Sequence, residues 1–127
     1  MSRMTHGIGW FEIGTDNPGP VKEFYGTVFG WSFAADEAAD VPYHIITTPA
    51  PDSIKGGVLE TGGRVPNYAM PCVVVQDVGA TCVSIEEAGG QVLIPATKDS
   101  SGLVWAHVAD PSGNRLGVYT PPEGQDT

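Results

Sequence analysis

The sequence of 127 residues contains two halves with the same order of predicted elements, and this repeat limits the possible folds more than any other feature. Each half predicts one strand, one helix and then three further strands. The halves begin near residues 8 and 68, and residues 61–67 between them are rich in glycine and proline. Because the length suits one compact domain, we expect two modules of a single domain spanning residues 1–127.

The first half opens with a strand at Trp10-Phe11-Glu12-Ile13, where β-forming residues alternate in the two-residue period of a sheet. Asn17-Pro18 then predicts a helix start, since Asn suits the cap and Pro the first helical position, and Gly30 ends the helix. Spacings of three and four predict one apolar helix face, formed by Val21, Phe24, Tyr25, Val28 and Phe29. Three more strands are expected at residues 31–33, 43–47 and 57–60.

The second half repeats this order, with a strand at residues 70–75 and a helix that Asp77 caps and Gly89-Gly90 end. Strands follow at residues 91–94, 104–108 and 115–119, the last two joined by the turn Asp110-Pro111-Ser112-Gly113. The fold class is therefore α+β, with two βαβββ modules whose curved mixed sheets surround a central cleft. We expect module 1 at residues 8–60, a linker at 61–67, module 2 at 68–120 and a polar tail at 121–127.

Fifteen acidic residues against six basic ones give a formal net charge of −9, which argues against nucleic acid as a partner. No apolar stretch approaches the roughly 18 residues of a membrane span, so no membrane partner is expected. Residues 1–9 carry one Arg and no apolar run, which is unlike a signal peptide. The two cysteines, Cys72 and Cys82, lie in apolar stretches and favour a reduced, cytoplasmic setting.

Several motifs occur in the same order as in a known superfamily. They are Trp10-Phe11-Glu12-Ile13, Asn17-Pro18, Phe24-Tyr25-Gly26, Val28-Phe29-Gly30-Trp31, Val75-Gln76-Asp77-Val78, Glu87-Ala88-Gly89-Gly90 and Asp110-Pro111-Ser112-Gly113-Asn114. Over roughly residues 8–120 the sequence resembles the vicinal oxygen chelate superfamily, which includes glyoxalase I, bleomycin resistance proteins and extradiol dioxygenases. The resemblance implies the glyoxalase/bleomycin resistance fold and a homodimer.

The resemblance also implies metal ligands on the first and last strands of each module. Counting from the helix-opening and turn residues places three of the four positions at Trp10, Met70 and Gly117. The fourth lies near Gly57–Glu60, where the sequence does not fix the register. Trp, Met and Gly supply no suitable ligand for Zn, Ni, Mn or Fe, so we expect no metal and no cofactor.

Strand alternation predicts which side chains share the face of those positions. They are Trp10, Glu12, Met70, Cys72, Trp105, His107, Arg115 and Tyr119. An aromatic cleft with a few polar groups suits a small organic ligand. Glu12 and His107 are candidates for an acid and a base, although Glu12 paired with Arg115 and a structural His107 are the alternatives.

Three functions follow from these observations. The leading hypothesis is a metal-free protein, similar to the bleomycin resistance proteins, that binds a small organic molecule between aromatic rings. The second is a metal-independent isomerase or lyase that uses Glu12 and His107. The third is a metal-dependent lyase or dioxygenase whose ligands lie at positions other than those counted above.

Overall fold

The computed structural model describes residues 4–122, and these form an α+β fold of eight strands and two helices. The strands are β1 (Ile8–Thr15), β2 (Ser32–Ala35), β3 (Tyr43–Thr47), β4 (Gly56–Glu60), β5 (Tyr68–Val74), β6 (Gln91–Lys98), β7 (Val104–Ala109) and β8 (Arg115–Thr120). The helices are α1 (Pro18–Phe29) and α2 (Val78–Glu87). This order confirms the βαβββ pattern in both halves. Of the expected polar tail, residues 123–127 lie outside the described residues.

The chain divides into two compact units. One unit is Trp10–Ala69, called the first module below, and the other is Met1–Gly9 with Met70–Thr127, called the second module. The strand β1 thus begins in the second module and continues into the first. None of the described helices is long and apolar enough to cross a membrane.

The strands of the first module follow the order β2-β3-β4-β1, with β1 and β4 parallel and the other pairs antiparallel. The buried residues Ile13, Ile46 and Val58 form its core. Partly buried apolar residues pack against this core, namely Phe11, Val21, Tyr25, Trp31 and Phe33. Since Phe11 and Ile13 are both in this cluster with residues of α1, the strand β1 presents Trp10 and Glu12 to the opposite face.

Helix α1 begins and ends where the sequence predicts. Pro18 occupies its first turn, and Gly30 ends it in the left-handed conformation with φ of 72°, donating its N–H to the carbonyl of Gly26. Asn17 stands at the N-cap position, but its side chain makes no capping hydrogen bond. Its backbone N–H instead donates to Oγ1 of Thr15.

The predicted apolar face of α1 is only partly covered within this chain. Val21 and Tyr25 pack on the core, whereas Phe24, Val28 and Phe29 are 55, 55 and 53% exposed. The ring of Trp31 stacks on Tyr25 at 4.9 Å and lies 5.7 Å from Phe29, so it fills part of the space between helix and sheet. Periodicity predicts which residues share a helix face, but not how much of that face is covered.

The second module has the strand order β5-β8-β7-β6, with β5 and β8 parallel and the other pairs antiparallel. Its core consists of Val75, Val78, Ala106, Val108 and Val118. The predicted cap of α2 is confirmed, because the carboxylate of Asp77 accepts from the N–H of Ala80 at 2.9 Å. Strand β6 continues to Lys98 rather than ending at Ile94, and its pairing with β7 has two register irregularities.

Candidate functional site

The carboxylate of Glu12 lies in a hydrogen-bond network on its face of the first module. The Tyr43 hydroxyl donates to Oε1 at 2.9 Å, and the Tyr68 hydroxyl donates to Oε2 at 2.5 Å. The indole N–H of Trp10 donates to the Tyr43 oxygen at 2.9 Å. Because an ionised carboxylate accepts and does not donate, the two tyrosine hydroxyls point their protons towards Glu12 and orient it, and the Trp10 N–H in turn orients the Tyr43 hydroxyl.

Two glycines make room for the tyrosines that hold Glu12. A Cβ atom on Gly14 would lie 2.1 Å from the ring of Tyr68, and one on Gly57 would lie 2.0 Å from the Tyr43 oxygen. Gly14 follows Glu12 by two residues on β1, and Gly57 pairs directly with Glu12 across β1 and β4. Only a residue without a side chain permits so close an approach of a ring to the strand. Backbone and side chains therefore fit together around one carboxylate.

A second polar group lies in the second module. The pairing of β7 with β8 sets Trp105 opposite Tyr119 and His107 opposite Gly117. His107 is buried, and its Nδ1 lies 3.0 Å from a guanidinium nitrogen of Arg115. The rings of Trp105 and His107 lie 5.2 Å apart.

Met70 and Cys72, both buried, fill the space beside this group. Cys72 pairs with Gly117 across β5 and β8. A Cβ atom on Gly117 would lie 2.9 Å from Sγ of Cys72 and 3.2 Å from Cε of Met70. The sulfur-containing side chains thus occupy the volume that a side chain at residue 117 would need.

The family model for the Glyoxalase/Bleomycin resistance protein/Dioxygenase superfamily matches residues 7–118. The chain belongs to this superfamily. Two curated relatives, both named "Putative glyoxylase CFP32", come from Mycobacterium bovis and Mycobacterium tuberculosis. Each is 34% identical over 119 residues, which is 91% of this chain and 44% of the relative. The chain therefore spans less than half the length of these relatives.

Solved structures support the same fold. The hypothetical protein BH1468 from Bacillus halodurans matches with a TM-score of 0.65 and 12% identity, covering 94% of this chain and 97% of that one. A methylmalonyl-CoA epimerase in complex with methylmalonyl-CoA and NH4+ matches with a TM-score of 0.63 and 17% identity, covering 98% and 99%. Methylmalonyl-CoA epimerase from Mycobacterium tuberculosis gives 0.59 and 12%, covering 93% and 89%.

The sequence left one of the superfamily's four metal positions open, near Gly57–Glu60. The register of β4 shows which of its residues share the face of Glu12. Because β1 and β4 pair with Glu12 opposite Gly57 and Gly14 opposite Leu59, these two residues of β4 share the face of Glu12. Glu60 lies on the other face with the buried Val58. Neither Gly57 nor Leu59 offers a ligand atom.

The donor set at the superfamily's metal positions does not fit a divalent cation. Trp10 donates its N–H to Tyr43, and Met70 and Gly117 are packed against each other. Within residues 4–122, no three His, Cys, Asp or Glu side chains lie close enough together to hold a metal ion.

A groove of about 520 Å³ lies on the first module beside α1. It is lined by Ile13, Gly14, Thr15, Pro20, Val21, Phe24, Tyr25, Asn67, Tyr68 and Ala69. No carboxylate, imidazole or basic group is among these residues, so the groove offers an apolar surface rather than reactive chemistry. The sequence did not predict this groove.

Proposed function

We propose that this chain binds a small organic molecule on the face of the first module that carries Trp10 and Glu12, and that binding requires no metal ion. The observation that carries the proposal is the Glu12 carboxylate held by two tyrosine hydroxyls. Placing a carboxylate among half-buried aromatic rings removes part of its hydration, and a fold that needed only stability would be served as well by apolar residues.

The chemistry of this face suits a ligand with a cationic group. Trp10, Tyr43 and Tyr68 belong to the hydrogen-bond network of the carboxylate, and aromatic rings near a carboxylate favour organic cations. The net charge of −9 adds a long-range attraction for the same kind of ligand. For the second module, taken by itself, we propose as candidate ligand contacts Met70, Cys72, Trp105, His107, Arg115 and Tyr119.

The test is native mass spectrometry of the purified protein after incubation with a bacterial metabolite extract. We expect one small molecule retained per chain, with quenching of tryptophan fluorescence when the identified compound is added back. Trp10→Ala should weaken its binding by about 1–3 kcal/mol, which is roughly 5-fold to 150-fold in Kd. Glu12→Gln should weaken a cationic compound and leave a neutral one unaffected.

Glu60→Gln is the matched control, because it removes the same charge from the opposite face of the same sheet. It should leave binding unchanged. If wild-type protein retains nothing from the extract, or if both carboxylate variants weaken binding equally, the proposed site is wrong.

A metal-independent isomerase or lyase is the second candidate. It is favoured by the fixed orientation of Glu12, which is what a general base requires. Because methylmalonyl-CoA epimerases are among the structural neighbours, we propose methylmalonyl-CoA in D2O as the first substrate to try, with deuterium incorporation at the carbon between the carbonyls as the signal. In this case Glu12→Gln abolishes exchange while binding persists. Absence of exchange leaves the binding function as the conclusion.

A further inference from the structure

The contact between Arg115 and His107 indicates which nitrogen of the imidazole ring carries its proton. His107 is 4% exposed, and its Nδ1 lies 3.0 Å from Nη1 of Arg115. A guanidinium has five N–H donors and no acceptor, and it is not deprotonated in proteins. The nitrogen that faces it must therefore supply a lone pair.

A lone pair on Nδ1 determines the tautomer of the imidazole ring. An imidazolium would place an N–H group of His107 against an N–H group of Arg115, and the Nδ1–H tautomer would do the same. Only the neutral ring with its proton on Nε2 makes a hydrogen bond at this distance. In that state Nε2 donates and cannot accept.

We propose that Arg115 is a positioning residue that holds His107 as the neutral Nε2–H tautomer, so that His107 serves as a hydrogen-bond donor and not as a base. This inference rests on the proposed function for its ligand: the group that meets Nε2 has to be an acceptor, such as a carbonyl or carboxylate oxygen. For an isomerase or lyase, this state leaves His107 able to polarise an oxygen and unable to act as a base.

The surroundings of His107 support a fixed ring rather than a mobile one. Trp105 lies against it at a centroid distance of 5.2 Å, and Gly117 is its direct partner on β8. A ring held by packing and by the hydrogen bond from Arg115 keeps the tautomer that accepts at Nδ1, because the other tautomer loses that bond.

The experiment is a long-range ¹H–¹⁵N correlation spectrum of the ¹⁵N-labelled protein, which distinguishes the two neutral tautomers and the imidazolium by their cross-peak patterns. We expect the Nε2–H pattern for His107 in the wild type, assigned by its loss in His107→Gln. In Arg115→Met, which keeps the stem and removes the donors, we expect a mixture of tautomers. His6 and His44 are internal controls whose signals should not change.

An Nδ1–H or imidazolium pattern in the wild type overturns the proposal, and so does an unchanged pattern in Arg115→Met. The spectrum is recorded without ligand, so it gives a result even if the proposed binding function fails. Where a ligand has been identified, His107→Gln, which keeps a donor near Nε2, should retain more binding than His107→Glu, which offers only acceptors. Equal loss in the two variants contradicts the donor role.

Discussion

The close contact between Gly14 and Tyr68 gives the sharpest test of the Glu12 arrangement. In Gly14→Ala, the new Cβ would lie 2.1 Å from the Tyr68 ring, a distance that no real contact shows, so the ring must move. Any movement that relieves the clash also lengthens the 2.5 Å hydrogen bond from Tyr68 to Glu12. Gly14 is not one of the described glycines with a positive φ, so its backbone conformation also suits alanine.

The expected cost follows from these two effects. Forcing one methyl group into filled space costs about 1–3 kcal/mol, and weakening a hydrogen bond to a charged acceptor costs about 1.5–3 kcal/mol. The lower backbone entropy of alanine offsets roughly 0.5–1 kcal/mol. Because the effects are not additive, we expect a net loss of about 2–4 kcal/mol in the free energy of unfolding, on the order of 10 °C in Tm.

The assay is urea unfolding of four proteins: wild type, Gly14→Ala, Tyr68→Ala and the double variant. Once the ring is absent, Gly14→Ala should change sign and stabilise by about 0.5–1 kcal/mol. Gly19→Ala is the control, since nothing lies within 4 Å of its new Cβ and it should be neutral or slightly stabilising. If Gly14→Ala costs the same with and without Tyr68, the ring is not the cause and the geometry is wrong.

Three further predictions concern the chain as a whole. Light scattering at micromolar concentration should give the mass of a homodimer, because α1 leaves Phe24 and Val28 more than half exposed, and a monomer mass would contradict this. Elemental analysis after purification without chelator should find far less than one equivalent of Zn, Ni, Mn or Fe, and one equivalent would refute metal independence. Hydrogen bonds from the Asn114 side chain and backbone hold the pKa of Asp110 below its usual range. The stabilisation from Asp110 should therefore be complete above about pH 5 and disappear as the pH falls through its folded pKa, so that urea unfolding of Asp110→Asn converges with wild type in acid, and a constant difference would argue against it.

The alternation of side chains along a strand was predictable because it is a local property. It predicted Trp10 on the face of Glu12 and Trp105 on the face of His107, because residues two apart on a strand point to the same side of the sheet. Pairing between distant strands was not predictable in this way. The sequence separates Glu12 from Tyr68 by 56 residues, and no local pattern indicates that their side chains meet.

The same distinction explains why the β4 position stayed open. Glu60 is the only carboxylate in its strand, and a register shifted by one residue would have put it on the face of Glu12. The sequence does contain a signal for the observed register, namely the pair Gly56-Gly57, since glycine inside a strand often marks a close approach of another group. That signal predicts crowding but does not name Tyr43 as the group that approaches.

Introducing a metal ligand into this chain would disturb residues that are already packed or hydrogen-bonded, so one substitution is not enough. A ligand such as Glu introduced at Gly117 would have its Cβ 2.9 Å from Cys72 and 3.2 Å from Met70, so it would enter space that is already filled. Replacing Trp10 with His would remove the indole donor from the Tyr43 oxygen and loosen one of the two bonds to Glu12. A single ligand therefore destabilises the fold before it can contribute to a metal site, which needs about three ligands. Substitution of the ligand positions alone should therefore yield proteins that are less stable and still bind no metal.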